Sequence, residues 1–262
     1  IVGGRGDKTA SKTLNRATDT TRQPGSTFKI LAAYSAALDA GGLTLASVQD
    51  DAPYTYAGAN GKSVNNYDRR YRGFTTLREA ITDSINIVTV KTLAQAGVSL
   101  GWQYVQEYGF TTVDSRDMNE ALALGGITQG VSNLELTAAY AAIANQGTYI
   151  RPKFYTKILD HDGNVLIDNT TPESHTVIKD TTAWLLTSAM ADVMTSGTGT
   201  SAYFGSSMAQ AGKSGTTTSS RDALFAGYTP YYTCAVWGGY DDNAMQKGSD
   251  TNYPKRIWKA VM

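Results

Sequence analysis

Three strand-like runs near the C-terminus constrain the fold more than any other feature of this sequence. They are rich in β-branched and aromatic residues and comprise Gln210 to Thr217, Ala223 to Tyr228 and Tyr232 to Tyr240. Thr229-Pro230 separates the last two, and strands joined by so short a link pair antiparallel. A helix from about Thr181 to Met194, with Asp180 as its candidate N-cap, is predicted just before them. The C-terminal region therefore predicts an antiparallel sheet with a helix beside it.

Helical patterns predominate earlier in the chain. From Pro24 to Gly41-Gly42, apolar residues recur at a three-to-four spacing that predicts a helix with one buried face. Capping boxes and further periodicity predict three more helices: Thr76 to Asp83, Ile87 to about Ala96, and Ser132 to Gly147. The region 50–73 is predicted as an irregular surface loop, and a hairpin is predicted to join 154–159 to 164–167. This order of elements predicts an α+β fold, an antiparallel β-sheet flanked by helices.

Composition excludes several classes of function. The chain has 23 Lys plus Arg and 23 Asp plus Glu, so it lacks the basic excess of a nucleic-acid binder or of a polybasic membrane surface. Its one cysteine, Cys234, allows neither an intrachain disulfide nor a cysteine-based zinc site. No apolar run approaches the ~18 residues of a membrane span. We therefore predict a globular protein with no nucleic-acid partner, no metal and no cofactor.

Three short segments imitate known motifs without their context. Ile1-Val2-Gly3-Gly4 is similar to the mature N-terminus of chymotrypsin-type proteases, but the chain has no early histidine to act as base, only His161 and His175. The stretch 197–202 imitates a dinucleotide fingerprint, yet a predicted helix precedes it where a strand is required. Arg5-Gly6-Asp7 predicts an exposed turn. We predict neither a protease nor a nucleotide site from these segments.

The segment Ser26-Thr27-Phe28-Lys29 carries a hydroxyl and an amine at the start of the first predicted helix. Residues three apart share a helix face, so we expect Ser26 and Lys29 to lie side by side. A neutral lysine can activate a serine nucleophile, and burial or a nearby cation favours the neutral amine. The alternative is an ordinary N-cap serine followed by a solvated lysine.

Two further polar clusters are candidates for the same site. Ser84-Ile85-Asn86 lies at a break between helices, where an extended backbone would turn its first and third side chains toward one cleft. The alternative is a plain connector built from turn-prone residues. Lys213-Ser214-Gly215-Thr216-Thr217 lies in a strand-like run. A glycine within a strand often marks the close approach of another backbone or a ligand, and here Gly215 would leave the strand edge open to a substrate. The alternative is an exposed polar edge strand, in which the lysine prevents aggregation through the strand edge.

Taken in order, S-x-x-K, S-x-N and K-S-G-T follow the motif set of penicillin-binding proteins and class A β-lactamases. The surrounding likeness covers Arg22 to Lys29, Ala123 to Gly147, Gly197 to Thr200, Phe225 to Pro230 and Val236 to Asp241. Over nearly its whole length, the sequence resembles the transpeptidase domain of a class A, bifunctional penicillin-binding protein. It departs at Ser214, where that family more often has threonine. The resemblance implies that residues 1–262 form a single transpeptidase domain, separated from the family's upstream glycosyltransferase domain and membrane anchor.

The resemblance also implies an activity and a set of site residues. The activity is that of a serine D,D-transpeptidase, which cross-links peptidoglycan stem peptides on the extracytoplasmic face of the bacterial cell membrane and is inhibited by β-lactam antibiotics. The catalytic residues implied are Ser26 as nucleophile, Lys29 as general base, Ser84 as proton relay and Lys213 as the cation that keeps Lys29 neutral. The substrate-binding residues implied are Asn86, Ser214, Gly215, Thr216 and Thr217. The backbone N–H groups of Ser26 and Thr216 would form the oxyanion hole.

Related activities are the main alternatives. A class A β-lactamase would need a glutamate in a Glu-x-x-Leu-Asn segment, which the sequence lacks, and S-I-N lacks the aspartate of S-D-N. A D,D-carboxypeptidase differs only in passing the acyl group to water instead of an amine. A non-catalytic β-lactam sensor would acylate without turnover, although the flanking segments favour a transpeptidase over a sensor.

Overall fold

The computed structural model describes residues 1–4, 7, 10–57 and 61–262, and the helices and strands below belong to these ranges. The α-helices are α1 (Ser35–Asp39), α2 (Leu77–Thr82), α3 (Asn86–Ala96), α4 (Val98–Glu107), α5 (Asn133–Ala144), α6 (Asp180–Thr195) and α7 (Tyr253–Val261). The strands are β1 (Val48–Asp51), β2 (Tyr54–Thr55), β3 (Ser63–Val64), β4 (Gly73–Thr76), β5 (Thr148–Ile150), β6 (Lys157–Leu159), β7 (Val165–Asp168), β8 (Ser174–Thr176), β9 (Ala211–Thr216), β10 (Asp222–Tyr228) and β11 (Thr233–Gly239). Among the described residues, no helix combines the length and the apolar character that crossing a membrane requires.

The predicted C-terminal sheet is confirmed as three antiparallel strands in the order β11, β10, β9. In its register, Ala226 of the central strand lies opposite Lys213 on one side and Ala235 on the other. All of β10 is buried because helices cover both faces of the sheet. On one face Phe225 packs against Trp258 of α7, with ring centroids 5.1 Å apart, while its neighbours on β10 join the core formed with α5 and α6.

The first predicted helix lies at the centre of the molecule. It is a continuous helical stretch made of a 3₁₀ turn (Gly25–Thr27), a π-helical segment (Ile30–Tyr34) and α1. The π-helical segment is fully buried, and its one polar side-chain group is satisfied, since the Tyr34 hydroxyl lies 2.8 Å from Thr89 Oγ1. A segment packed on all sides holds the residues at its start rigidly, and Lys29 is one of these.

The two predicted capping boxes are confirmed, and one predicted cap is wrong. Thr76 with Glu79 opens α2, and Ser132 with Glu135 opens α5. Asp180, predicted as the N-cap of α6, is instead the first helical residue. The N-cap is Lys179, whose backbone is extended. The dinucleotide-like stretch does follow this helix, as predicted, and continues into a 3₁₀ turn (Thr200–Ala202).

Several elements are not predicted from the sequence. Only Gly97 separates α3 from α4. The same glycine ends α3 and precedes α4, so no separate N-cap residue indicates the start of α4. The region 50–73, predicted as a loop, contains short strands that pair as β1–β4 and β2–β3, and strands of two to four residues show no readable alternation. The predicted hairpin is confirmed as the β6–β7 pair. Residues 58–60 of that loop, and Arg5 and Gly6 of the predicted turn, lie outside the described residues.

Candidate active site

Most of the predicted site residues line one open cleft with a volume of about 1350 Å³. The cleft-lining residues among them are Ser26, Ser84, Asn86, Ser214, Thr216 and Thr217. The other three are buried: Lys29 and Lys213 have no exposed surface, and Gly215 lies within β9 against the turn that carries Ser26. Three segments far apart in the sequence therefore meet at one place.

The turn that carries Ser26 is fixed by its neighbours. Thr27 donates its hydroxyl hydrogen to the Pro24 carbonyl at 2.7 Å, and Tyr140 of α5 donates to the Thr27 carbonyl at 2.7 Å. The turn lies flat on strand β9, where a Cβ at Gly215 would come within 2.8 Å of the Pro24 carbonyl oxygen. We expected Gly215 to open the strand edge to a substrate, but the close approach that requires glycine here is made by this turn.

The hydroxyl of Ser84 lies between the two buried lysines. Lys29 Nζ lies 3.1 Å from Ser84 Oγ and donates at 2.6 Å to both the Ser84 carbonyl and Asn86 Oδ1. Lys213 Nζ lies 2.8 Å from Ser84 Oγ and 3.2 Å from the Ser214 carbonyl oxygen. None of these hydrogen bonds of Lys29 goes to Ser26, and its side-chain partners are Ser84 and Asn86.

Burial and a neighbouring cation make each of the two lysines easy to deprotonate. Burial, followed by the positive charge of Lys213, holds the pKa of Lys29 well below its usual range. Burial, followed by the charge of Lys255, lowers the pKa of Lys213 to about 7. Neither lysine forms a salt bridge with any carboxylate in the described part of the chain, so no counterion restores the charged form. A neutral amine in this position can accept a proton from a hydroxyl.

The connector between α2 and α3 presents its polar groups in an unexpected way. Ile85 is buried as predicted, at 2% exposure, and both Ser84 and Asn86 reach the same amine. However, the predicted extended tripeptide is wrong, because Ser84 has a left-handed backbone with φ of 57° and Asn86 already belongs to α3. Ser84 and Asn86 reach the same amine because the left-handed backbone of Ser84 turns the chain between α2 and α3.

Asn66 and Asp51 support this connector, and neither was singled out in the sequence. Asn66 Oδ1 accepts hydrogen bonds from the backbone N–H groups of Asn86 and Ile87 at 3.0 and 3.2 Å. Its amide group donates to Asp51 at 2.8 and 3.0 Å, and Asp51 is fully buried. The N-cap position of α3 is Ile85, whose side chain cannot accept a hydrogen bond. An apolar N-cap residue indicates that a side chain from another segment must accept the hydrogen bonds of the first helical N–H groups. The sequence does not show which side chain this is.

We expect Asn66→Ala to destabilise the protein by about 1–3 kcal/mol, since it removes a helix cap and leaves buried polar groups unpaired. Chemical denaturation monitored by circular dichroism measures this loss. Asn65→Ala is the matched control, because the side chain of Asn65 is exposed and its change should stay within about 0.5 kcal/mol. Equal losses in the two variants would contradict the capping role.

Comparisons with known proteins match the chain to one family. The family model described as penicillin binding protein transpeptidase domain matches residues 3–262. Penicillin-binding protein 1F of Bacillus subtilis is 39% identical over 269 residues, covering 100% of this chain and 36% of that protein. Penicillin-binding protein 1A of Clostridium botulinum (strain Langeland) is 34% identical, covering 100% of this chain and 32% of that protein. The chain thus spans about a third of the length of these relatives.

Solved structures share the fold. Penicillin-binding protein 1A from Haemophilus influenzae, 27% identical, matches with a TM-score of 0.81 over 95% of this chain and 43% of that chain. The PonA1 protein from Mycobacterium tuberculosis, solved in complex with penicillin V, matches with a TM-score of 0.82 at 24% identity, over 96% of this chain and 70% of that chain. These likenesses confirm the predicted fold class, including the transpeptidase fold that the sequence resembles.

Proposed function

The chain belongs to the penicillin-binding protein transpeptidase family, and from this premise we propose that it is a serine D,D-transpeptidase that cross-links peptidoglycan stem peptides through an acyl-enzyme on Ser26. The observation that carries the proposal is the convergence of Lys29 and Lys213 on the Ser84 hydroxyl, beside the cleft that Ser26 lines. Residues 1–262 act as one catalytic domain, and the reaction takes place on the extracytoplasmic face of the cell membrane, where peptidoglycan lies.

Acylation begins at the Ser26 hydroxyl. Its oxygen attacks the carbonyl carbon between the two terminal D-alanines of a stem peptide, and the neutral amine of Lys29 takes its proton. Catalytic hydrogen bonds often form only when substrate binds, so this step does not require a hydrogen bond between Ser26 and Lys29 in the free protein. Ser84 then passes a proton from Lys29 to the leaving amine, a path supported by the 3.1 Å distance between Lys29 Nζ and Ser84 Oγ. D-Alanine leaves. The amine of a second stem peptide then attacks the acyl carbonyl and forms the new amide, while its proton passes through Lys29 to the Ser26 oxygen as the ester bond breaks.

The oxyanion forms between the Ser26 turn and strand β9. A Cβ placed on Gly25 would lie 3.4 Å from the backbone nitrogen of Thr216, so the N–H groups of Ser26 and Thr216 come from two backbones in close contact. Two such donors stabilise developing negative charge, each contributing about 3–4 kcal/mol in the transition state.

The substrate lies along the cleft between β9 and the Ser84 connector. Ser214 and Thr216 line this part of the cleft, and their hydroxyls bind the terminal carboxylate of the donor. Thr217 also lines it, with its hydroxyl bonded to Asp222 at 3.1 Å. Asn86 uses one amide hydrogen for the Asn65 carbonyl at 2.7 Å and its oxygen for Lys29, which leaves its second amide hydrogen for the peptide backbone of the substrate. β-Lactams enter the same cleft and acylate Ser26 in place of the stem peptide.

Acyl transfer from a synthetic stem peptide that ends in D-Ala-D-Ala tests this function. Released D-alanine and the acyl product are measured with and without an added amine acceptor. We expect a new amide with the acceptor, formed at the expense of hydrolysis. Hydrolysis alone, unaffected by the amine, would identify a D,D-carboxypeptidase, and penicillin acylation without release of D-alanine from the peptide would identify a β-lactam sensor.

A further inference from the structure

Lys255 is a cation of the cleft that the reaction described above does not use. It belongs to the first turn of α7 and lines the cleft together with Thr198 and Ser214. Pro254 and Trp258 of the same helix are buried, and α7 packs against β10 and β11, so the backbone that carries Lys255 is anchored to the sheet. Its side chain is half-buried and burial lowers its pKa.

The surroundings of the Lys255 ammonium are unfavourable for a positive charge. Its hydrogen bond goes to a neutral group, the Thr198 carbonyl at 3.2 Å, and within the described ranges no carboxylate forms a salt bridge with it. The charge of Lys255 acts on the buried amine of Lys213. It also lies at the positive end of a helix, where cations are destabilised. A half-buried ammonium in such a place is best stabilised by an anion that enters the cleft.

The cleft around Lys255 carries an excess of positive charge. Its charged lining residues are Arg22, Lys62, Arg69, Arg221, Asp222 and Lys255. Asp222, the one carboxylate among these described lining residues, is engaged elsewhere: it accepts hydrogen bonds from Trp237 Nε1 at 2.9 Å and from Thr217 Oγ1 at 3.1 Å. The lining therefore favours an anionic ligand over a neutral one.

Lys255 also borders the hydroxyls that face the cleft. Ser214 Oγ donates to Thr198 Oγ1 at 2.7 Å, and Lys255 contacts the carbonyl of the same threonine. Lys255 on α7 and Ser214 on β9 thus both contact Thr198, so an ammonium and two hydroxyls border the same part of the cleft. A carboxylate has two oxygens and accepts hydrogen bonds from both kinds of donor.

We propose that Lys255 is a carboxylate-binding residue, which pairs with the anionic C-terminus of the donor peptide and with the equivalent carboxylate of a penicillin. This rests on the proposed function, because it assumes that Ser26 is acylated by ligands lying along β9. The ion pair favours carboxylate-bearing ligands over otherwise identical neutral ones.

The test compares a penicillin that has a free carboxylate with the methyl ester of the same penicillin. The second-order rate constant for acylation of Ser26 is measured by intact-protein mass spectrometry for each. We expect Lys255→Met, which keeps most of the aliphatic stem, to slow acylation by the free acid by about 10- to 100-fold, as for loss of a charged hydrogen bond. Acylation by the ester should change by less than about twofold, and Lys255→Arg should retain most of the preference for the acid.

Lys259→Met is the matched control, since Lys259 is an exposed lysine one turn further along α7, and it should react as the parent does with both probes. Equal slowing of acid and ester in Lys255→Met would show a purely structural lysine and overturn the proposal, as would an unchanged ratio of the two rates. Failure of the proposed function has a different signature: the parent protein would form no adduct on Ser26 with either probe.

Discussion

Ser26→Ala is expected to abolish the covalent penicillin adduct, slowing acylation by at least about 10⁴-fold. The expected effect is this large because the bond to the drug is made by the hydroxyl oxygen of Ser26, and alanine has no atom that can form it. Intact-protein mass spectrometry after incubation with a labelled penicillin measures the adduct, and peptide mapping of the parent protein assigns it to the segment that contains Ser26.

The fold should survive this substitution. Ser26 is half-buried and lines the cleft, and the turn around it is held by Thr27 and Tyr140. The unfolding midpoint is therefore expected to stay close to that of the parent. Ser63→Ala provides the control, because Ser63 is an exposed serine on the same cleft and should acylate at the parental rate. A Ser26→Ala protein that still carries the drug would place the nucleophile elsewhere.

Features fixed by local chemistry were predictable from the sequence. The capping boxes at Thr76 and Ser132 and the stop at Gly97 appear in the structure because each depends on contacts within one turn of helix. The three C-terminal strands were predictable because they are long enough to show β-branched and aromatic enrichment. The shortest strands and α4 were not predictable, since neither hydrophobic periodicity nor separate start and stop residues distinguish them from their neighbours.

The parts of the site that sequence reasoning missed depend on contacts between distant segments. Asn66 caps a helix that begins twenty residues later, and Asp51 holds Asn66 from a third segment. Nothing near either residue in the sequence indicates these partners. Lys255 was missed for a related reason: it belongs to α7, a helix that was not predicted, and only the fold brings it beside Thr198.

The motif residues themselves were predictable as a set, although the geometry differs from expectation in two places. The sequence predicts Ser26 beside Lys29, and the hydrogen bonds of Lys29 add Ser84 and Asn86 as its partners. It also suggested an extended connector at Ser84, which is left-handed, and a substrate next to Gly215, where the turn lies instead. Residue types thus predicted which groups meet, and packing decided how they meet.

Lys29→Met is expected to slow penicillin acylation by about 10²–10⁴-fold, the range that a general base contributes. Methionine keeps the aliphatic volume of the buried stem, so the helical stretch that follows should remain packed. Stopped-flow or quenched-reaction kinetics with a labelled penicillin measure the rate, and circular dichroism confirms the fold. Acylation at the parental rate by a folded Lys29→Met protein would contradict the assignment of Lys29 as base.

The pH dependence of acylation distinguishes a base from a lysine that only supports the structure. A base must be neutral, so the rate in the parent protein should rise with pH through the lowered pKa of Lys29 and then level off. The positive charge of Lys213 is one cause of that lowering, and Lys213→Met removes it. The pKa of Lys29 should then rise, because its protonated form is no longer repelled. The acid limb of the pH–rate profile should therefore move to higher pH in Lys213→Met. If Lys29 served only as a packing residue, Lys213→Met would leave this limb where it is and lower the rate by the same factor at every pH.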